Sequence, residues 1–535
     1  MGIRSRLPDV TIPDVDLAKF VLDKIDQYEE SVALVDSQSG AKYTFGDVRD
    51  HVRRIGSALT RLGFKKGDVF CVYSPNVPEF ALILLGVLAV GGTVTTANPQ
   101  YTKDELSKQM KITPVKYMVT VPESSQKALQ AAAENDIKSV FVFGHAPGCK
   151  PFHDLLRDDG HAFPHDVIIS PQDVALLPFS SGTTGLPKAV MLTHHNIVGN
   201  LMQMREFLYA GRPGVDGFLG FLPFFHLFGL AIILIGALKF RLKVVCMKKF
   251  DFEEFLACIE THKIRYLFVV PPIAILLAKH PLVDRYDLSS LETIMSAAAP
   301  LGKDIEQKVE ARLKTCSVTQ GYGLTETSPA CSLPPLDRKA RRSGSSGILV
   351  ANTECKVVDP QTGKELGPNQ DGELWFRGSH IFKGYLNNPE ATAAAIDSDR
   401  WFHSGDIGHY DDDQYIYVID RIKEFIKYKG FQVAPAELEG LLVTHSAVAD
   451  TAVVGRPDED AGELPMAFIV LKPGHTATET EIMDFLAAKV APFKRLRGGV
   501  EIVQEIPKTA SGKILRRVLR EKLRQRAQGS MKSKL

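Results

Sequence analysis

Val174-Ala175-Leu176-Leu177-Pro178-Phe179 leads into Ser180-Ser181-Gly182-Thr183-Thr184-Gly185-Leu186-Pro187-Lys188, and Ala189-Val190-Met191-Leu192 follows. The outer segments are apolar runs of strand length. The nine residues between them combine glycines, hydroxyls and one lysine. Glycines let successive backbone N–H groups converge on an anion, and Ser180, Ser181, Thr183, Thr184 and Lys188 add side-chain donors. The Walker A spacing GxxxxGK[ST] is absent, so any phosphate cradle here is of another kind.

Working outward, apolar runs of strand length alternate with helix-period stretches. Residues 69–74, 116–120 and 139–143 read as strands and 78–90 as a helix. That alternation predicts parallel-type sheets covered by helices. At 535 residues the chain exceeds one core, so at least two domains are expected. The first would be a large α/β domain. A boundary falls near residue 420, after the Asp411-Asp412-Asp413 turn, an alternating strand at 414–419 and the charged Asp420-Arg421-Ile422-Lys423. Beyond it lies a smaller α+β pattern: a helix at 436–444, strands at 451–455 and 466–472, and a helix from about residue 480 with Thr478 and Glu481 as its capping box. A last helix, 514–526, would turn Ile514, Leu515, Val518, Leu519 and Leu523 to one face.

Lys and Arg number 64 against 63 Asp and Glu, so no overall field draws nucleic acid or an anionic membrane. From Lys513 onward there are nine Lys or Arg and one Glu, which reads as a solvated face and tail or as attraction for a polyphosphate ligand. The seven cysteines show neither CxxC nor metal-type spacing and read as reduced core thiols. The N-terminal residues lack the apolar stretch of a secretory leader, and Arg6 stands where a myristoylation pattern needs Ser or Thr. Residues 218–238 carry no formal charge and could span a bilayer by length. Pro223, His226 and three glycines in the run favour a buried loop and helix instead, and no transmembrane segment is expected.

Further blocks join the first: Gly321-Tyr322-Gly323-Leu324-Thr325-Glu326-Thr327, Ser404-Gly405-Asp406, Asp420-Arg421 and Pro507-Lys508-Thr509-Ala510-Ser511-Gly512-Lys513. An aromatic face suits a nucleobase, and a hard carboxylate oxygen suits Mg²⁺ beside substrate phosphates. Together these blocks resemble the signatures of the adenylate-forming enzymes, which include acyl-CoA synthetases, coumarate-CoA ligases and beetle luciferases. The resemblance spans roughly residues 23–535. Ala189 departs from the usual glycine.

The resemblance implies ATP, Mg²⁺ and coenzyme A as cofactors. It implies that the loop Ser180, Ser181, Gly182, Thr183, Thr184, Gly185 and Lys188 closes on the β- and γ-phosphates. Tyr322 would stack on adenine, Thr325 bond the α-phosphate, Glu326 hold Mg²⁺, Asp406 accept from the ribose and Arg421 add a donor. Lys513 would bridge the carboxylate and α-phosphate, with His226 near the carboxylate. Lys423 would be the hinge, dividing the chain into 1–422 and 423–535. Lys427 with Gly430 would line the pantetheine channel in the second half-reaction, and Gln432 would contact the adenylate. Phe228, Ile232, Ala297, Ala298, Ala299 and Pro329 would wall the acid pocket.

No acidic residue lies in 218–238 to pair an amino acid's ammonium. Luciferases and coumarate ligases carry Gly where Ala297 stands and a polar residue where Ile232 stands. An apolar fatty or arylalkanoic acid is therefore expected, in an acid–CoA ligase; a luciferase-type monooxygenase is the alternative. The terminal Ser533-Lys534-Leu535 reads as an address for the peroxisomal import receptor.

Overall fold

The computed structural model describes residues 2–180, 187–429, 431–458, 460–509 and 512–532. Among them, the largest sheet has nine strands. Val174–Leu177, Thr93–Ala97, Val69–Tyr73, Val115–Thr120 and Ser139–Val142 run parallel in that spatial order. The helix Glu79–Ala89 lies between Val69–Tyr73 and Thr93–Ala97 in the chain, and its residues from Phe80 to Leu88 are all buried. The strand Lys188–Thr193 departs from the parallel-type expectation: it pairs antiparallel with Val174–Leu177. The loop between them is too short for the crossover that parallel strands require.

Two smaller sheets complete the binding platform. Tyr266–Val269, Thr293–Ser296 and Ser317–Gln320 are parallel, and their carboxyl ends open into Pro271, Ala297 and the Gly321–Thr327 block. Loops at such strand ends are the usual ligand-binding edge of an α/β sheet. An antiparallel sheet with Gly372–Gly378, Phe402–Tyr410 and Ile416–Arg421 places Asp406 directly opposite Arg421.

The charge-free run becomes the strand Gly217–Gly220 and a π-helix over Phe228–Gly236, buried except for a half-buried Phe228. The Tyr209 hydroxyl donates to the Ile232 carbonyl at 2.9 Å inside that helix. Among the described residues, no helix is long and apolar enough to cross a membrane.

Residues 426–502 form a second sheet system, in which Val448–Asp458 and Gly462–Leu471 pair antiparallel and Gly499–Ile502 joins parallel. Ile426, Leu438, Val453, Ile469, Ile482 and Leu486 build its own core. The expected Thr478–Glu481 capping box opens the helix Glu479–Ala487. Two expectations are corrected. The strand placed at 414–419 is Ile416–Arg421, because Asp411 anchors a turn that takes in Gln414. The last helix begins at Arg516, since Ile514 bridges to Lys508 and Leu515 N donates to the Pro507 carbonyl. Its buried stripe is accordingly Leu519 and Leu523, while Leu515 and Val518 are exposed.

Candidate active site

A cleft of about 510 Å³ lies between the first glycine block and the Ser404–Arg421 strands. Lys188 and Ser180, opposite each other in their strand pair, form one wall. Lys423 and Arg421 enter from the far side. Burial, and then the charge of Lys188, pull the Lys423 ammonium below its ordinary range. Two ammoniums that feel each other in one cleft suit a polyphosphate. Ser181, Gly182, Thr183, Thr184 and Gly185 lie outside the described residues.

Glu326 is 5% exposed and sits in a short 3₁₀ turn, Thr325–Thr327, with Thr325 half-buried at its start. Gly323 is obligatory just before it: a Cβ there would lie 1.8 Å from the Pro329 carbonyl oxygen. That carbonyl also accepts from Leu324 N at 2.9 Å, so the buried Pro329 braces the turn. Glu326 Oε1 accepts the Tyr385 hydroxyl at 3.0 Å. No protein donor to Oε2 occurs among the described residues, which also contain no cluster of three or more His, Cys, Asp or Glu fit for a metal. One free carboxylate oxygen beside a phosphate cleft fits Mg²⁺, which prefers one or two carboxylates plus substrate phosphates. Glu326 would hold it, and the ion would supply charge neutralisation at the phosphates.

Asp406 is 4% exposed. Its Oδ2 accepts the Tyr322 hydroxyl at 2.6 Å, and Arg421 Nε lies 3.2 Å from Oδ1. Tyr322, expected as an adenine platform, thus has its hydroxyl committed to Asp406, and its ring is 5.8 Å from Phe376. Burial first, then Asp406, push the Tyr322 pKa well up, so this hydroxyl remains a donor.

Lys513 arrives at the same site from the C-terminal region. Burial and then the Arg421 charge bring its ammonium down to about 8, against an opposing pull from Asp406. His226 falls to about 4, through burial first and then Lys513 itself. Gly512 seats this loop: it has φ +79°, and a Cβ on it would meet Val270 Cγ2 at 3.1 Å. One site therefore groups a half-buried cation, a neutral imidazole and the Asp406–Arg421 pair. That set can screen two approaching anions.

The expected acid wall is only partly assembled. Ile232 is 3% exposed; Phe228 and Ala297 are half-buried, and Phe228 meets Phe268 edge-on at 6.2 Å. Ala298 (φ 72°) and Ala299 are exposed. Lys427 and Gln432, paired across a hairpin, are both exposed and do not line the cleft, and Gly430 lies outside the described residues.

Two residues escaped the sequence reading. Tyr385 carries the Lys188 ammonium 4.8 Å from its ring centroid as well as binding Glu326. Glu373 accepts Gly405 N at 2.9 Å and Trp375 Nε1 at 2.8 Å, holding the strand segment that delivers Asp406. Both residues lie between the motif blocks, and only their position in the fold marks them.

The profile of the family described as AMP-binding enzyme matches residues 22–386, and that of the AMP-binding enzyme C-terminal domain matches residues 437–513. A 4-coumarate–CoA ligase of Solanum tuberosum is 43% identical over 529 residues, covering 97% of this chain and 96% of the relative. A 4-coumarate–CoA ligase of Nicotiana tabacum is 42% identical over 532 residues, covering 97% of each. ATP-bound MatB from Rhodopseudomonas palustris superposes with a TM-score of 0.86 at 26% identity, over 95% of this chain and 99% of that one. The chain belongs to the AMP-binding, adenylate-forming enzyme family.

Proposed function

We propose that this enzyme is an AMP-forming acid–CoA ligase. A carboxylate oxygen attacks the α-phosphorus of ATP and pyrophosphate leaves. The thiol sulfur of coenzyme A then attacks the acyl carbon and AMP leaves. The observation that carries this reading is Lys513, whose preceding Gly512 lies against Val270 and whose charge interacts with Asp406, Arg421 and His226, so that it can act on both anions of the first step. The naming of the relatives as CoA ligases supports the thioester step and weighs against a light-emitting monooxygenase.

For the acid we favour an apolar fatty or arylalkanoic chain over the 4-coumarate of the relatives' names. Buried Ile232 and the methyl of Ala297 support this, and the lack of an acidic residue in 218–238 weighs against an amino acid. Release of pyrophosphate and AMP, measured with ATP, CoA and a panel of fatty, arylalkanoic and cinnamic acids, tests both parts. AMP formation that ignores CoA would overturn the ligase reading, and fastest turnover of coumarate would overturn the acid.

Peroxisomal import through Ser533-Lys534-Leu535, outside the described residues, is also part of the proposal. Deleting those three residues should leave the purified activity intact and disperse the protein into the cytosol. Retention of the truncated chain in peroxisomes would refute it.

A further inference from the structure

We infer that Tyr385 is a positioning residue that ties the Lys188 ammonium to the Glu326 carboxylate, so that one ring sets both the phosphate-holding cation and the metal-holding anion. The inference rests on the ligase reading for the identity of those two groups. Its geometry is independent of it. The Tyr385 hydroxyl donates to Glu326 Oε1 at 3.0 Å, and the ring centroid lies 4.8 Å from Lys188 Nζ. Tyr385 also lines the cleft.

The backbone explains why the ring can serve both partners. Gly384–Tyr385 pairs antiparallel with Lys188–Thr193, the strand leaving the glycine loop, with Tyr385 opposite Val190. Tyr385 N donates to Thr392 Oγ1 at 2.9 Å, which pins the strand from its other side. The ring meets Phe382 edge-on at 4.9 Å and the residue is 6% exposed, so its orientation is locked by packing.

Each arm has a distinct consequence. The hydroxyl occupies one oxygen of Glu326, which itself lines the cleft, and such partners behind a metal-holding carboxylate commonly govern affinity for the ion. The ring face steadies an ammonium that pairs with no carboxylate among the described residues, without neutralising it. A carboxylate there would cancel the charge that the phosphates need. A purely structural tyrosine at the same place would pack on Phe382 and require neither contact.

The test separates the arms by ATP titration at stepped Mg²⁺, with neither acid nor CoA present, alongside thermal melting. Tyr385→Phe keeps the packing and the ring under Lys188. It should weaken Mg²⁺-dependent ATP binding by about tenfold, with Mg²⁺-free binding unchanged. Tyr385→Leu removes both arms and should also weaken Mg²⁺-free binding by about threefold, a loss absent when Lys188 is already Met. A Tyr385→Phe titration superimposable on wild type would overturn the proposal, as would a leucine loss that adds fully to that of Lys188→Met. If the leucine variant does not fold, the cycle of Tyr385→Phe with Lys188→Met decides: independent arms predict additive losses, and strong coupling refutes them. Acid-dependent pyrophosphate exchange by the wild type is run in parallel. Its absence with every acid would sink the ligase reading, while the nucleotide titration would still judge Tyr385.

Discussion

His226 and Lys513 lie far apart in the chain, yet the Lys513 charge is felt by the His226 ring, which burial has already made reluctant to protonate. A lysine whose charge is felt at this half-buried histidine is placed to act in the proposed adenylation step.

Replacing Lys513 by Ala should therefore slow acyl-AMP formation by about 10²- to 10³-fold, the scale of losing one preorganised charge. Thioester formation from supplied acyl-AMP should remain largely intact. Rapid-quench measurement of each half-reaction checks this, and equal damage to both would show that Lys513 does not divide them.

The pH dependence has a definite sign. Only protonated Lys513 supplies positive charge, and its pKa stands at about 8. Adenylation should be full below that value and decline as pH rises through it. Lys513→Arg should push the alkaline limb out of range, since guanidinium stays charged. His226, at about 4, is neutral throughout the working range and should add no acidic limb there. A pH profile of pyrophosphate exchange for wild type and the arginine variant reads both effects. An unmoved alkaline limb would assign it to another group.

Lys423 follows an ordered joint: Ile422 N donates to the Gly405 carbonyl at 2.9 Å and Glu424 N to the Arg421 carbonyl at 2.9 Å. Lys423→Pro fixes φ near about −65° and should hinder rotation there. Adenylation should survive while CoA transfer falls steeply. Unchanged overall turnover would place the pivot elsewhere.

Acid choice should respond to the two methyl-scale features of the pocket. With Ile232→Ser and Ala297→Gly combined, the kcat/KM ratio of a medium-chain fatty acid to coumaric acid should shift towards coumaric acid by roughly 10- to 100-fold per site. A wild-type ratio already favouring coumaric acid defeats the argument. A ratio that does not move shows that these two side chains lie outside the pocket.

Much of this was legible in the chain alone because the blocks bearing chemistry are contiguous. The glycine loop, the Tyr322–Glu326 string, Asp406 and Lys513 each sit in a short run whose spacing is informative. The strand alternation around residue 70 was equally plain, because a fully buried parallel strand is an unbroken apolar run. What stayed hidden depends on pairing across the sheet. Tyr385 acts through the register of Gly384–Tyr385 against Lys188–Thr193, and Glu373 through its reach to Gly405. The start of the last helix was misjudged for a similar reason: Ile514 and Leu515 have helix-compatible side chains but spend their backbone on Lys508 and Pro507.

The seat of Gly512 on Val270 has a further consequence. Val270 directly follows the strand Tyr266–Val269, and the neighbouring strand Thr293–Ser296 runs straight into Ala297. The surface against which Gly512 lies and the surface proposed to meet the acid are thus adjacent edges of one small sheet. An ill-fitting acid that displaces this edge is penalised twice, once in how it lies and again in how well Lys513 can dock over it. Redesign of the pocket for a bulkier acid would then call for compensation at Val270, where the Lys513 loop is seated.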